Sequence, residues 1–173
     1  WLTRFAGVRV PLIVSVRNCK RQGVWHDLAN VAACRASADI VVNSRRVAEY
    51  VVRQFRAPRE RIRVIYNGVD TERFRPAPSG EASAAVIVTA GRLVPQKNPN
   101  LFLDAAELLL RQHPNVRFVI VGDGPLRPRI ESRLRQGPLA DRVSLLGERD
   151  DVDRILRGAG VVWLTSAWEG LPN

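Results

Sequence analysis

Methionine is absent from this sequence, and lysine, histidine and cysteine occur only as Lys20 and Lys97, His26 and His113, and Cys19 and Cys34. The two cysteines have neither CxxC spacing nor a nearby histidine pair, so zinc or a redox dithiol is not expected and both read as free thiols of a reducing compartment. No cluster of metal-ligating residues is visible. Long apolar runs are missing too: with no stretch of about 18 apolar residues, nothing in the sequence reads as a membrane-spanning helix. A chain without methionine that opens on Trp1 is expected to be a fragment of a longer protein.

What is present is ample apolar content, 46% of 173 residues, enough for a packed core in one domain or parts of two. The formal net charge is +10 and every basic residue except Lys20 and Lys97 is arginine. That charge permits attraction to phosphates, anionic lipid or nucleic acid. The arginines are spread over all the predicted helices without forming a block, which makes the bias compositional.

Along the chain, short β-branched apolar runs alternate with helical periodicity. Strands are predicted over residues 11–17, 39–43 and 62–66, and helices over 28–38 and 45–55, the second N-capped by Ser44 and apolar at Val47, Tyr50, Val51 and Phe55 on one face. Residues 71–85, rich in Pro, Ser, Gly and other small residues, read as a linker. Beyond it the alternation resumes with strands over 86–90, 116–121, 143–146 and 161–165 and helices over 99–112, 126–135 and 151–157. Strands alternating with helices of this length predict an α/β fold with parallel, doubly wound sheets.

Two loops at predicted strand ends carry chemistry. AGRLVPQKN (90–98) places Gly91 and Arg92 directly after a strand and Lys97 just before a helix that opens with Pro99; EGLPN (169–173) carries Glu169. Cations beside a helix N-terminus suit a diphosphate, and a carboxylate suits sugar hydroxyls. Gly122-Asp123-Gly124-Pro125 imitates a dinucleotide fingerprint, but Arg127 stands at the third glycine position and breaks it. Asp151 and Asp153 have the spacing of a metal-binding Asp-x-Asp pair, yet they open a predicted helix, where acids are favourable without a ligand.

Residues 61–76 (RIRVIYNGVDTERFRP), 90–109 (AGRLVPQKNPNLFLDAAELL), 118–127 (FVIVGDGPLR) and 165–173 (TSAWEGLPN) resemble the family-four type, or group 1, retaining glycosyltransferases of the GT-B fold. The resemblance covers nearly the whole chain. It implies two Rossmann-like domains of parallel sheets with helices on both faces, with residues 1–70 as the C-terminal part of the acceptor-side domain, 71–85 as interdomain linker and 86–173 as a truncated donor domain. The implied activity is transfer of a hexosyl group from a nucleoside-diphosphate sugar to a glycan or lipid-linked acceptor, with retention of configuration and with no metal or other cofactor. The fragment alone is expected to be inactive.

By the same resemblance, Arg92, Lys97 and Glu169 are the catalytic residues: the two cations hold the leaving diphosphate, and Glu169 contacts the hydroxyls of the transferred sugar. Gly91, Gly170, Leu171 and Asn173 complete the donor site through backbone groups, and Arg149 is a candidate for base or phosphate contact. In the family the Gly122–Gly124 turn is structural and lines the nucleotide pocket. On the acceptor side, Arg17 and Asn18 occupy a position where many members carry histidine, so Arg17 is a candidate for an anionic acceptor; His26, beside Trp25 in what reads as a loop, is another candidate contact. The implied setting is polysaccharide or glycolipid assembly in the cytoplasm, peripheral to the anionic inner face of the membrane, with no nucleic-acid partner. Two other readings stay open on the residues alone, a nucleotide-dependent oxidoreductase and a basic module that binds nucleic acid or membrane.

Overall fold

The computed structural model describes residues 10–20, 23–78 and 83–171. By its internal contacts the chain divides into two compact units, Trp1–Val69 with Trp168–Asn173, and Asp70–Ala167.

The first unit is a three-stranded parallel sheet in the order β1-β2-β3, from Ile13–Val16, Asp39–Val42 and Ile62–Val64. Parallel neighbours require crossover connections, and α1 (Val24–Ala36) and α2 (Arg45–Phe55) supply them. Val47, Val51 and Phe55 recur every four residues along α2, so they fall on one face and bury against Ile40, Val42 and Cys34. Each such burial contributes roughly 1.5–3 kcal/mol. The start of α2 is set as its sequence predicts, because Ser44 Oγ accepts from the Val47 amide at 3.2 Å. Arg56 ends the helix in the left-handed conformation, φ 50°. A 3-10 turn at Arg59–Arg61 then leads into β3, and Arg61 reaches back to donate to the carbonyls of Arg35 and Ser37 at 3.2 and 3.0 Å, satisfying acceptors left open at the end of α1.

The expected helix over residues 28–38 begins earlier, at Val24. Gly23 precedes it at φ 107° with no side-chain cap, so no capping residue announces the start. The expected strand over 62–66 closes at Val64.

The second unit is a four-stranded parallel sheet in the order β6-β5-β4-β7, with β4 at Ser83–Ala90, β5 at Arg117–Val121, β6 at Val143–Gly147 and β7 at Ala159–Val162. Its helices are α3 (Pro99–Leu110), α4 (Arg127–Gln136) and α5 (Val152–Arg157). Phe102 and Phe118 are fully buried and meet edge-to-face with ring centroids 6.0 Å apart, and the Trp163 ring lies 5.7 Å from Phe102. Such aromatic pairs add about 0.5–1.5 kcal/mol beyond the area they bury.

Two strands differ most from the sequence reading. β4 starts at Ser83, inside the stretch read as linker, and β7 runs over Ala159–Val162 instead of 161–165. The shift of β7 has a steric cause. Gly160, which falls between the predicted helix and strand, lies so close to β4 that a Cβ there would stand 2.6 Å from the Ser83 carbonyl oxygen, and its lack of a side chain lets the strand dock.

The order of this second sheet positions a site. The chain builds outward from β4 through β5 to β6, then returns to the other side of β4 as β7. The direction reverses between β4 and β7, and in open parallel sheets the crevice outside the carboxyl ends of two such strands is where ligands bind.

Candidate functional site

The carboxyl end of β4 delivers residues 91–97 and that of β7 delivers residues 163–167, and the two loops are laced together. The Ala167 amide donates to the Gln96 carbonyl at 2.8 Å, and Thr165 Oγ lies 3.2 Å from the carbonyl oxygens of both Lys97 and Asn98. Between them opens a crevice lined by Gly91, Arg92, Lys97, Pro99, Thr165 and Ser166, among others. Its enclosed space is about 20 Å³, room for roughly one water. A ligand of nucleotide size therefore contacts this crevice with one group while most of it lies outside.

The group that fits is an anion. Arg92 is exposed and Lys97 half-buried, its side chain laid across Gly91; a Cβ on residue 91 would meet the Lys97 methylenes at 3.4–3.6 Å. Asn98, in the left-handed conformation at φ 47°, precedes α3 without capping it, and Pro99 opens the helix. Pro99 has no N–H and the Leu101 amide donates to the Asn98 carbonyl at 3.1 Å, so what α3 adds to the two cations is chiefly the positive end of its dipole.

The Gly122–Gly124 turn supports this loop. The Gly91 amide donates to the Val121 carbonyl and the Leu93 amide to the Asp123 carbonyl, both at 2.9 Å. Gly122 has φ 124°, and a Cβ there would stand 2.1 Å from the Gly91 carbonyl oxygen. The glycine of the imitation fingerprint is thus needed by the neighbouring loop, and the approach a dinucleotide's pyrophosphate would need is taken by protein backbone.

Arg127, at the broken third glycine position, donates to Asp123 at 2.7 Å and to Glu131 at 2.8 Å. The Asp123 carboxyl is held below the usual range, first by the Gly124 amide at 2.6 Å and then by Arg127. An ion pair stands where the motif would have placed a third glycine.

The other residues singled out from sequence fall in several places. Arg149 makes a two-point pair with Asp151, at 2.8 Å for each bond, and that carboxylate raises its pKa further. Asp151 takes Nε and Nη2 of Arg149, so a ligand would meet this guanidinium through Nη1. Asp153 is paired with Arg73 at 3.1 Å, so both acids of the Asp-x-Asp spacing face arginines. Among the described residues no group of three or more His, Cys, Asp or Glu is arranged to hold a metal.

Glu169, Gly170 and Leu171 belong to the first unit, where Ser44 Oγ donates to the Gly170 carbonyl at 3.2 Å and Asn67 Nδ2 to the Leu171 carbonyl at 3.0 Å. Asn173 lies outside the described residues. Arg17 is exposed, and its carbonyl accepts from Asn43 at 3.1 Å; Asn18 Oδ1 accepts from the Lys20 amide at 3.2 Å. His26 is corrected from loop to helix: with Trp25 it sits in the first turn of α1, exposed.

Thr165 was not singled out from sequence although it ties the two loops together. The signal was a pair of hydroxyl residues, Thr165 and Ser166, at the end of an apolar run. Cys34 is fully buried and desolvation raises its thiol pKa; Cys19 is raised by the same cause, opposed by Arg46.

A cationic crevice at the switch point of a parallel sheet is where folds of this class take their ligands. The comparisons place the chain further. Residues 70–173 match the family model for glycosyl transferases group 1, and residues 1–73 match that for Glycosyltransferase Family 4. The chain belongs to the group 1 glycosyltransferases. It is 32% identical over 190 residues to the UDP-Gal:alpha-D-GlcNAc-diphosphoundecaprenol alpha-1,3-galactosyltransferase of Escherichia coli, covering 98% of this chain and 49% of that protein. Over 176 residues it is 30% identical to the Vi polysaccharide biosynthesis protein VipC/TviE of Salmonella typhi, covering 95% and 30%. The chain thus spans about half the length, or less, of these curated relatives.

Among solved structures, a variant of S. aureus TarM in complex with fondaparinux, alpha-GlcNAc-glycerol and UDP superposes with a TM-score of 0.79 at 20% identity, over 92% of this chain and 33% of that one. HepE of Anabaena in complex with UDP gives 0.76 at 22%, over 95% and 49%. These neighbours share the GT-B fold expected from sequence.

Proposed function

We propose that the protein transfers a hexosyl group from a nucleoside-diphosphate sugar to a glycan or lipid-linked acceptor with retention of configuration, and that its donor diphosphate is held by Arg92, Lys97 and the N-terminus of α3. The observation that carries this reading is the crevice at the β4/β7 switch point, which brings both cations and an uncapped helix start to one place. As the glycosidic bond to the diphosphate breaks, negative charge grows on the leaving oxygens. Fixed cations and the positive end of the α3 dipole stabilise it where it appears, without reorganisation during the reaction. In this mechanism the protein supplies the stabilisation with no metal.

Glu169 takes the hydroxyls of the transferred sugar by charge-assisted hydrogen bonds, and the backbone of residues 170, 171 and 173 completes the donor site. Arg17, Asn18 and His26 are assigned to the acceptor side. The names of the Escherichia coli and Salmonella relatives, one acting on a diphosphoundecaprenol-linked sugar and one in polysaccharide biosynthesis, support a lipid-linked or glycan acceptor; a setting at the cytoplasmic face of a membrane belongs to the same proposal. No helix among the described residues is long and apolar enough to cross a bilayer.

The test is turnover by the intact protein with UDP-galactose, UDP-N-acetylglucosamine, GDP-mannose and ADP-glucose, with and without EDTA, reading nucleoside diphosphate release and the anomeric configuration of the product. Release that persists in EDTA with a retained anomer supports the proposal. Release abolished by EDTA, or an inverted product, contradicts it.

A further inference from the structure

Resting on the reading of Glu169 as the sugar ligand, we propose that Ser44 and Asn67 are positioning residues that clamp the segment carrying it. Ser44 follows β2 and Asn67 follows β3, two adjacent parallel strands, so both polar side chains stand at the carboxyl edge of the first sheet. Their donors take successive carbonyls, those of Gly170 and Leu171, at 3.2 and 3.0 Å. On the other side of Glu169, the Lys20 ammonium lies 4.9 Å from the centroid of the Trp168 ring. Glu169 is therefore flanked on both sides by residues with partners more than 100 positions away in sequence.

Gly170 completes the clamp by size. A Cβ at that position would stand 2.0 Å from the Arg17 carbonyl oxygen and 2.7 Å from Asn43 Oδ1. The Arg17 carbonyl is itself fixed by Asn43 Nδ2, and Asn43 is buried, so the wall against which Gly170 rests has little room to yield.

Ser44 has a double duty that explains the choice of residue. Its single hydroxyl accepts from the Val47 amide to cap α2 and donates its one proton to the Gly170 carbonyl. Aspartate would cap the helix equally well but has no proton to give. Threonine can do both.

The experiment uses Ser44→Asp, Ser44→Thr and Asn67→Asp in the intact protein, with three readouts: hydrogen exchange at the amides of residues 169–171, affinity for UDP and GDP, and transfer from UDP-galactose and GDP-mannose. Ser44→Asp and Asn67→Asp are expected to raise exchange at 169–171 and to lower kcat for sugar transfer on the order of tenfold, the worth of one positioned hydrogen bond. Nucleoside diphosphate affinity falls by much less than kcat, because Arg92 and Lys97 hold the diphosphate and residues 170 and 171 only complete the site. Ser44→Thr restores wild-type exchange and kcat. Unchanged exchange at 169–171 in both aspartate variants overturns the inference, and so does a loss of transfer matched by an equal loss of nucleoside diphosphate affinity. Failure of the wild type to bind either nucleoside diphosphate overturns the donor reading instead, while the exchange result still decides the clamp.

Discussion

Replacing Gly122 by alanine tests the support beneath the cationic loop. The residue has φ 124°, and the new Cβ would stand 2.1 Å from the Gly91 carbonyl oxygen and 2.8 Å from its carbon. Two costs follow. A side chain held in this region of backbone space costs about 1–3 kcal/mol, and relieving an overlap with backbone costs about 1–3 kcal/mol more. For a unit of this size each kcal/mol lowers the melting temperature by about 4–8 °C, so a fall of roughly 10 °C or more is expected. The displaced atoms belong to the residue before Arg92, so UDP binding should weaken with it. The assay is thermal unfolding followed by circular dichroism, beside titration with UDP. Gly158→Ala is the control: its φ is −76° and a Cβ there meets nothing closer than 3.7 Å. A Gly122→Ala protein that melts within ~2 °C of wild type and binds UDP equally would refute the reasoning.

Phe102→Ala removes a fully buried ring that packs on Phe118 and Trp163; denaturant unfolding should show a loss of about 3–5 kcal/mol, against less than about 0.5 kcal/mol for Leu101→Ala on the exposed face. Thr165→Val keeps the shape of the side chain but loses its hydroxyl to the Lys97 and Asn98 carbonyls; titration calorimetry should show several-fold weaker UDP binding, with a stability loss of about 1 kcal/mol. The pKa of Asp123 is depressed in the folded protein. Its contribution to stability is therefore fully present above the unfolded carboxylate value of about 3.9 and is lost as pH falls through the folded value. Asp123→Asn should flatten that acid limb of the pH–stability curve measured by urea unfolding.

How far the sequence carried the structure can be seen residue by residue. Alternating apolar runs and helical stretches were enough for the parallel α/β architecture, because parallel strands need helical crossovers of that length. Ser44 and Pro99 marked helix starts because each acts locally, one by capping and one by its fixed φ. What escaped depends on contacts at a distance. Gly160 fell outside the predicted strand because its docking against β4 is a distant contact, and α1 follows a glycine that offers no side-chain cap.

The site was legible in part for the same reason. Gly91, Arg92 and Lys97 lie within one loop, so their proximity was written in their spacing. Arg127 was seen only as a break in a glycine pattern, whereas its four-residue spacing from Asp123 and Glu131 is that of helix-face ion pairs. The hold of Ser44 and Asn67 on the Glu169 segment joins residues 126 and 104 positions apart, and no local pattern announces it.

The central claim is that Arg92 and Lys97 hold a nucleoside diphosphate without metal. The most direct measurement is the thermal shift of the intact protein with UDP, GDP, ADP, CMP and NAD, each with and without EDTA, beside Arg92→Ala and Lys97→Ala. A ligand that binds only the folded state raises its melting temperature in proportion to affinity. The account predicts a shift with one nucleoside diphosphate that EDTA leaves intact and that each substitution abolishes. A shift with NAD alone, with none of the five, or with a diphosphate equally in both variants would contradict it.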